Sequence, residues 1–278
     1  MINAFFVSDL HGKKEKYEKL IEHIIREKPD IVFVGGDLLP HPCNEDFKDL
    51  NFLRDYLIPE FVLLRKAMHS GYPIILMIMG NDDPKSEEHI INCGEKLGLW
   101  HYINNKHFTF REYRIFGYNY VPPTPFKLKD WEKYDTGREV NPGCISPEEG
   151  KRSTPFIEKE ISNSTIEKDL NELAAEYPMN KSIFLFHSPP YGTNLDITAY
   201  RKEISDPHAG SKAIRKFIEK KQPFLALHGH IHESSRISGE WKELIGATYC
   251  FSGCTDTGKL AIIQFPLEKP KEAVYNLF

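Results

Sequence analysis

Side chains able to bind metal or move protons stand at the ends of short apolar runs. Ser8-Asp9-Leu10-His11-Gly12 follows Phe5-Phe6-Val7. In an extended segment, side chains two apart share a side, so Asp9 and His11 can grip one ion. Gly35-Gly36-Asp37 follows Ile31-Val32-Phe33-Val34, and Gly80-Asn81-Asp82-Asp83 follows the run from Ile74 to Met79. Phe186-His187-Ser188 and His228-Gly229-His230-Ile231-His232 close two later runs. Each alone is weak, because Gly-Asp and Gly-Asn are ordinary turn pairs and a single His behind an apolar run is commonly a packed core residue. Together they put a ligand-type residue at the end of each of these runs, and a metal centre is the expectation.

Carboxylate, imidazole and amide oxygen, with no cysteine among them, suit Mn²⁺, Fe or Zn²⁺, with Mg²⁺ also admissible, better than a thiolate zinc site or an all-oxygen Ca²⁺ cage. Seven candidate ligands outnumber what one ion with an open position needs. Two ions sharing a bridging carboxylate would use them all. Such a pair, about 4 Å apart, activates water and steadies the oxygens of an in-line phosphoryl displacement. Phosphoester hydrolysis is the reaction class implied.

The elements that must position these residues can be read from the apolar pattern. Phe5–Val7, Ile31–Val34 and Ile74–Met79 read as strands buried on both faces. Between them, Tyr17, Leu20, Ile21, Ile24 and Ile25 form a helical stripe that ends at Lys28-Pro29, and Phe47 to Met68 reads as helix with a break at Pro59. This β-α-β-α-β alternation argues for a mainly parallel α/β sheet with its ligand site outside the carboxyl ends of the strands. A second series follows: strands at Ser182–Phe186 and Phe224–Leu227 around a helix from Ser211 to Lys221, then short strands near Thr248, Leu260–Phe265 and Ala273–Leu277. The stretch from Val121 to Ser162 is rich in Pro and Gly and reads as an irregular insertion, either a functional loop or a solvated excursion. Pro122-Pro123-Thr124-Pro125 reads as a rigid turn. Tyr118, Asn119, Tyr120, Trp131 and Tyr191 are placed in ordinary packing ahead of any stacking role, and His228 is read as structural.

Asp-x-His, then Gly-Asp, then Gly-Asn with a following acidic residue, then a single His, then Gly-His-x-His, running from Asp9 to His232, resembles the pattern of the calcineurin-like metallophosphoesterases. The resemblance implies that Asp9, His11 and His232 bind a first metal, that Asn81, His187 and His230 bind a second, and that Asp37 bridges them, with a hydroxide held between the ions as nucleophile. It also implies a four-layer α/β/β/α sandwich of two mixed sheets, which the β-α-β reading does not yield. Residues 1–278 are expected to form one domain of this kind, with the insertion at about 121–162. Where the family commonly carries His after Gly-Asn, this chain has Asp82, while Asp83 matches the acidic residue that follows. A carboxylate beside two dications stays ionised and is a poor proton donor. Its charge disfavours a dianionic phosphomonoester more than a monoanionic diester, which tilts the expectation toward phosphodiesterase activity.

His208-Ala209-Gly210-Ser211, opening a helix, resembles the small phosphodiesterase-like members, and His208 is carried as an accessory catalytic residue beside Asp37 and Asp82. Gly210 and Ser211 either meet a substrate phosphate at a helix N-terminus or supply a plain N-cap.

Composition sets limits. With 36 basic and 40 acidic residues in 278, a net charge of −4, the chain has no overall electrostatic footprint for nucleic acid or an anionic membrane. No apolar run reaches the roughly 20 residues of a membrane span. The 5 cysteines are odd in number and scattered, the start has no leader pattern, and a cytoplasmic setting with reduced thiols is expected. The partner expected is a small phosphoester, a nucleotide among the candidates. The competing readings are a phosphomonoesterase or protein phosphatase, a nuclease, and a metal-binding scaffold weakened by the change at Asp82.

Overall fold

In Asn3–Val7 (β1), Ala4 and Phe6 face one way and Phe5 and Val7 the other, and all four are buried. Two apolar faces on one strand require a partner layer on each side. The computed structural model, which describes residues 1–41, 51–156, 161, 164–174, 177–199 and 206–278, supplies both.

β1 lies parallel to Ile31–Gly35 (β2), which lies parallel to Ile74–Ile78 (β3), and β3 to His101–Tyr102 (β4). A second sheet contains Lys106–Phe110 (β5), Tyr113–Tyr118 (β6), Ser182–Phe186 (β7), Leu225–His228 (β8), Lys242–Ile245 (β9) and Thr248–Ser252 (β10). Ala261–Pro266 (β11) and Val274–Leu277 (β12) return to the first sheet. The orders are β12-β11-β1-β2-β3-β4 and β5-β6-β7-β8-β10-β9; the first sheet is antiparallel only at its β11 and β12 margin, while the second has a parallel centre and antiparallel margins on both sides.

Between the sheets, Ala4, Phe6, Phe33 and Leu76 pack on Ile115, Ile183, Leu185, Leu227 and Phe251. The outer face of the first sheet, with Phe5, Val7, Val32 and Val34, is covered by Lys14–Glu27 (α1), Ile58–Met68 (α2) and Glu88–Lys96 (α3). The outer face of the second, with Phe116, Phe184 and Phe186, is covered by Ile166–Leu173 (α4) and Lys212–Lys221 (α5). A short helix, Ser234–Ser238 (α6), follows β8. The result is the expected α/β/β/α order with two mixed sheets.

Several local expectations change. The helix before β3 does not break at Pro59. Leu53–Leu57 forms a π-helical turn in which the Ile58 N–H bonds the Leu53 carbonyl, and Pro59 then sits in the first turn of α2, where its missing N–H costs nothing. Residues 47–50 of that expected helix lie outside the described residues. In α1, Ile25 is exposed, so the buried stripe is narrower than the spacing implied. The strands β4, β5, β6 and β9 and the helices α3 and α4 have no counterpart in the expected pattern. β5 is a half-exposed edge strand with Lys106, His107 and Thr109, and so lacks an apolar run. The described part of the insertion packs rather than extending into solvent: Trp131, Lys129 and Glu132 are buried, and isolated bridges join Val121 to Glu132 and Leu128 to Lys151. No helix among the described residues is long and apolar enough to cross a membrane.

Candidate metal centre

The loops leaving β1, β2, β3, β7 and β8 meet at one edge of the sandwich. Backbone hydrogen bonds tie them, from Asp9 N to Gly36 O at 3.0 Å, His11 N to Asp37 O at 2.8 Å and Gly229 N to His187 O at 2.9 Å. Asp9, His11, Asp37 and His230 all have positive φ, at 58°, 49°, 51° and 77°. Side-chain-bearing residues rarely adopt this conformation, and it is tolerated where the surroundings impose it, commonly at functional sites.

Asp9, His11, Asp37 and His232 each present a ligand atom, and these atoms lie within 4.8 Å of one another. His11 Nε2 is 3.0 Å from His232 Nε2, and His232 Nε2 is 3.1 Å from Asp9 Oδ1. On the other side of Asp37, His187 Nε2 is 3.0 Å from Asn81 Oδ1, and the His187 and His230 rings are 5.3 Å apart. Asp37 Oδ2 lies 3.7 Å from His11 Nε2 and 3.4 Å from His187 Nε2, so one carboxylate oxygen faces both groups. His187 Nδ1 is 2.8 Å from the Gly35 carbonyl; a proton on that nitrogen leaves Nε2 as the ligand atom. All the residues expected at the centre are thus brought together. The donor set fits divalent Mn, Fe or Zn by its chemistry, with carboxylate, imidazole and amide groups converging and no thiolate among them.

Electrostatics among the protein groups show the same demand. Burial opposes ionisation of Asp9, but the hydrogen bond and charge of His232 hold its carboxyl far below the usual range. Asp37 is likewise buried yet held down to about 2, chiefly by His187. His187 is buried too, and the charge and hydrogen bond of Asp37 nonetheless push it up to about 10. Burial lowers His11 to about 4 and His230 to about 3. For Asp82, burial and then the charges of Asp37 and Asp83 push the carboxyl up to about 8. Cations held by the adjacent ligands act in the opposite direction.

Asp82 does face the site. Its Oδ2 is 3.7 Å from His11 Nδ1, its Oδ1 accepts from Asn81 Nδ2 at 3.0 Å, and its N–H donates to Asp37 Oδ1 at 2.9 Å. Asp83 instead holds the loops, accepting from the N–H groups of Leu38, Leu39 and Gly80, while its carbonyl takes the Trp131 indole N–H. Gly80 has no room for a side chain, because a Cβ there would overlap Asp37 Oδ1. Gly229 is similarly confined by Ser8 and Asp9. Lys16, which sequence reasoning passed over, is buried in α1 and donates Nζ to the Asp9 carbonyl at 2.9 Å. No spacing rule singles it out from the exposed Lys13 and Lys14.

His208 contacts Asp196, with Nδ1 2.8 Å from Oδ1, and packs edge-on against Tyr191. The following residue, Ala209, lines the cavity above the cluster. Ser211 is an N-cap, accepting from Ile214 N. The adjoining helix N-terminus receives a protein carboxylate, since Asp135 accepts from Lys212 N and Ala213 N, so a phosphate role for Gly210 and Ser211 is not needed. His228 is fully buried and stacks on Phe186. Tyr118, Asn119 and Trp131 are buried in packing, and Cys250 and Cys254 are buried free thiols.

A cavity of about 650 Å³ opens above Asp37, Asn81, Asp82, His230 and His232, walled by Pro123, Thr124, Pro125, Phe126, Pro142 and Cys144 of the insertion.

The family model for calcineurin-like phosphoesterases matches residues 2–234, and the chain belongs to that family. Among solved structures, the chain is similar to TT1561 of Thermus thermophilus, with 16% identity and a TM-score of 0.60, covering 99% of this chain and 98% of that one. It is also similar to a dimetal phosphatase from Danio rerio, with 10% identity and a TM-score of 0.56, covering 99% and 95%. A structure described as an archaeal phosphodiesterase aligns over 100% of both chains at 12% identity, with a TM-score of 0.46. The first two likenesses bear on the fold. No curated protein matches the chain significantly in sequence.

Proposed function

We propose that this phosphoesterase is a binuclear metal-dependent hydrolase of phosphodiesters, with the whole chain acting as one domain. In this reading Asp9, His11 and His232 hold one ion, Asn81, His187 and His230 hold the other, and Asp37 serves both. The observation that carries it is the position of Asp37 Oδ2 between His11 Nε2 and His187 Nε2. Mn²⁺, Fe and Zn²⁺ suit the donors, and Mg²⁺ is admissible. When bound, an ion pair activates water and offsets charge on the phosphoryl oxygens during in-line displacement.

The chain's own groups supply orientation and selection. Lys16, Asp83 and the His187–Gly35 contact hold the ligand loops in place. Asp82 places a carboxylate on the cavity floor, where its charge repels a second negative charge on phosphorus and favours the monoanionic diester. His208, held by Asp196 next to Ala209 of the cavity wall, is carried as the accessory residue.

The test combines metal analysis with a panel of bis-aryl phosphodiesters, cyclic nucleotides, nucleotides, phosphoproteins and simple monoesters, each with Mn²⁺, Fe, Zn²⁺ and Mg²⁺. Diesters are expected to be hydrolysed faster than monoesters, and Asp37→Asn to abolish turnover and one equivalent of bound metal. A metal-loaded wild type that cleaves no ester sinks the reading.

A further inference from the structure

Phe126 is 47% exposed, and among the described residues it is the one large exposed hydrophobic that lines the cavity above Asp37 and Asp82. Its position is built rather than incidental. Lys129 and Glu132 form an ion pair of 2.6 Å with both side chains fully buried. A dry ion pair is seldom worth more to stability than apolar packing of the same volume. Here its contacts converge on Thr124. The Thr124 N–H donates to Glu132 Oε2 at 2.8 Å and its hydroxyl to Oε1 at 2.5 Å. Lys129 Nζ donates to the Thr124 carbonyl at 2.8 Å. The same carbonyl accepts from Ile145 N at 2.9 Å, and the Phe126 N–H donates to Thr124 Oγ1 at 3.1 Å. One residue therefore fixes both strips of the cavity wall, the strip carrying Phe126 and the strip carrying Pro142.

We propose that Phe126, with Pro123, Pro125 and Pro142, forms a subsite for a flat apolar ester group of the substrate, an aryl ring or a nucleobase, and that the Lys129–Glu132 pair positions it through Thr124. The proposal rests on the phosphoesterase reading above. A compact charged group finds less there: Arg236, the guanidinium on this cavity, already has its Nε 2.7 Å from Asp256 Oδ2. Stacking on one ring, with the burial that accompanies it, favours a flat group over methyl by about tenfold in affinity.

The measurement is calorimetric binding to Mn²⁺-loaded protein of methyl phenylphosphonate and methyl methylphosphonate, two monoanions that differ only in the flat group. Wild type is expected to bind the phenyl compound about tenfold more tightly. Phe126→Ala should bring that ratio close to one with the methyl compound unchanged, and Thr124→Val should lower it partway, which a purely structural role for Thr124 would not do. The same comparison of the monoanionic methyl esters of adenosine 5′-monophosphate and ribose 5-phosphate separates the sources: a preference there assigns the subsite to a nucleobase, and its absence beside a phenyl preference assigns it to an aryl group. Equal binding of the two phosphonates by wild type, or a ratio untouched by Phe126→Ala, overturns the subsite and leaves the hydrolase reading standing. If neither phosphonate binds and no ester is cleaved, the hydrolase reading fails and the subsite falls with it.

Discussion

Asp37 follows β2 of the first sheet and His187 follows β7 of the second, yet Asp37 Oδ2 and His187 Nε2 are 3.4 Å apart. The contact closes the top of the inter-sheet core and couples two titratable groups. Asp37 is held down to about 2 and His187 is pushed up to about 10.

If His187 is a ligand, as proposed, metal binding must displace its proton, because imidazole ligates only when neutral at the ligating nitrogen. His187 has a folded pKa raised above its ordinary 6.5. In the metal-free protein its charged form contributes stability that is full below about 6.5 and is lost as pH rises through about 10. Between those limits the apparent metal affinity should rise up to about tenfold per pH unit. Calorimetry at pH 7.5 in buffers of different ionisation enthalpy should show at least one proton released, that of His187, with Asp82 able to add to it. A heat independent of the buffer contradicts the assignment.

Removing the cation of the dry pair should weaken the fold. Lys129→Met leaves Glu132 buried without its partner, a loss of roughly 3–5 kcal/mol when the carboxyl is ionised. Burial already pushes Glu132 up to about 7, against the pull of Lys129. A raised carboxyl binds its proton more tightly in the folded state, so its contribution is most favourable below about 4.5 and declines as pH rises through about 7. Without Lys129 that decline should continue to higher pH. Urea unfolding should therefore find the variant closer to wild type at pH 5 than at pH 8; equal deficits at both would refute the argument.

Gly80→Ala is expected to damage the centre more than the fold. The added methyl overlaps Asp37 Oδ1 and comes within 2.6 Å of His187 Cε1. Displacing ligands in this way should cost about 10–100-fold in metal affinity. Titration with Mn²⁺ followed by thermal melting reads both effects, and unchanged affinity would show that the loops yield.

Asp82→His replaces the floor carboxylate with an imidazole able to donate a proton. The ratio of monoester to diester hydrolysis should rise by about tenfold or more. Steady-state rates on a 4-nitrophenyl monoester and the corresponding bis-ester provide the comparison, and a constant ratio removes Asp82 from substrate selection.

Added metal should raise thermal stability. At about 100 times the dissociation constant a ligand adds about 2.7 kcal/mol. In a chain of this size that corresponds to about 4–5 °C in Tm. A melting curve that does not respond to Mn²⁺, Fe or Zn²⁺ would show that the cluster holds none of them.

The chemistry was legible because ligand residues sit directly behind apolar runs, where Phe5–Val7 hands over to Asp9 and His11 and Ile74–Met79 to Asn81 and Asp82. A strand buried on both faces announces itself by composition. β5 and β9 do not, since their exposed faces carry Lys, His, Thr and Glu, and β4 has two residues only. The π-helical turn ahead of Pro59 depends on how the chain accommodates a proline inside a packed helix, which periodicity does not reveal.

Local sequence alone determined the donor types, their order and the loops that carry them, because those follow from neighbours in the chain. Tertiary structure decided that Asp37 faces His11 and His187 together and that Asp82 turns into the cavity. These are distances between side chains remote in sequence, and only the packing of two sheets face to face sets them.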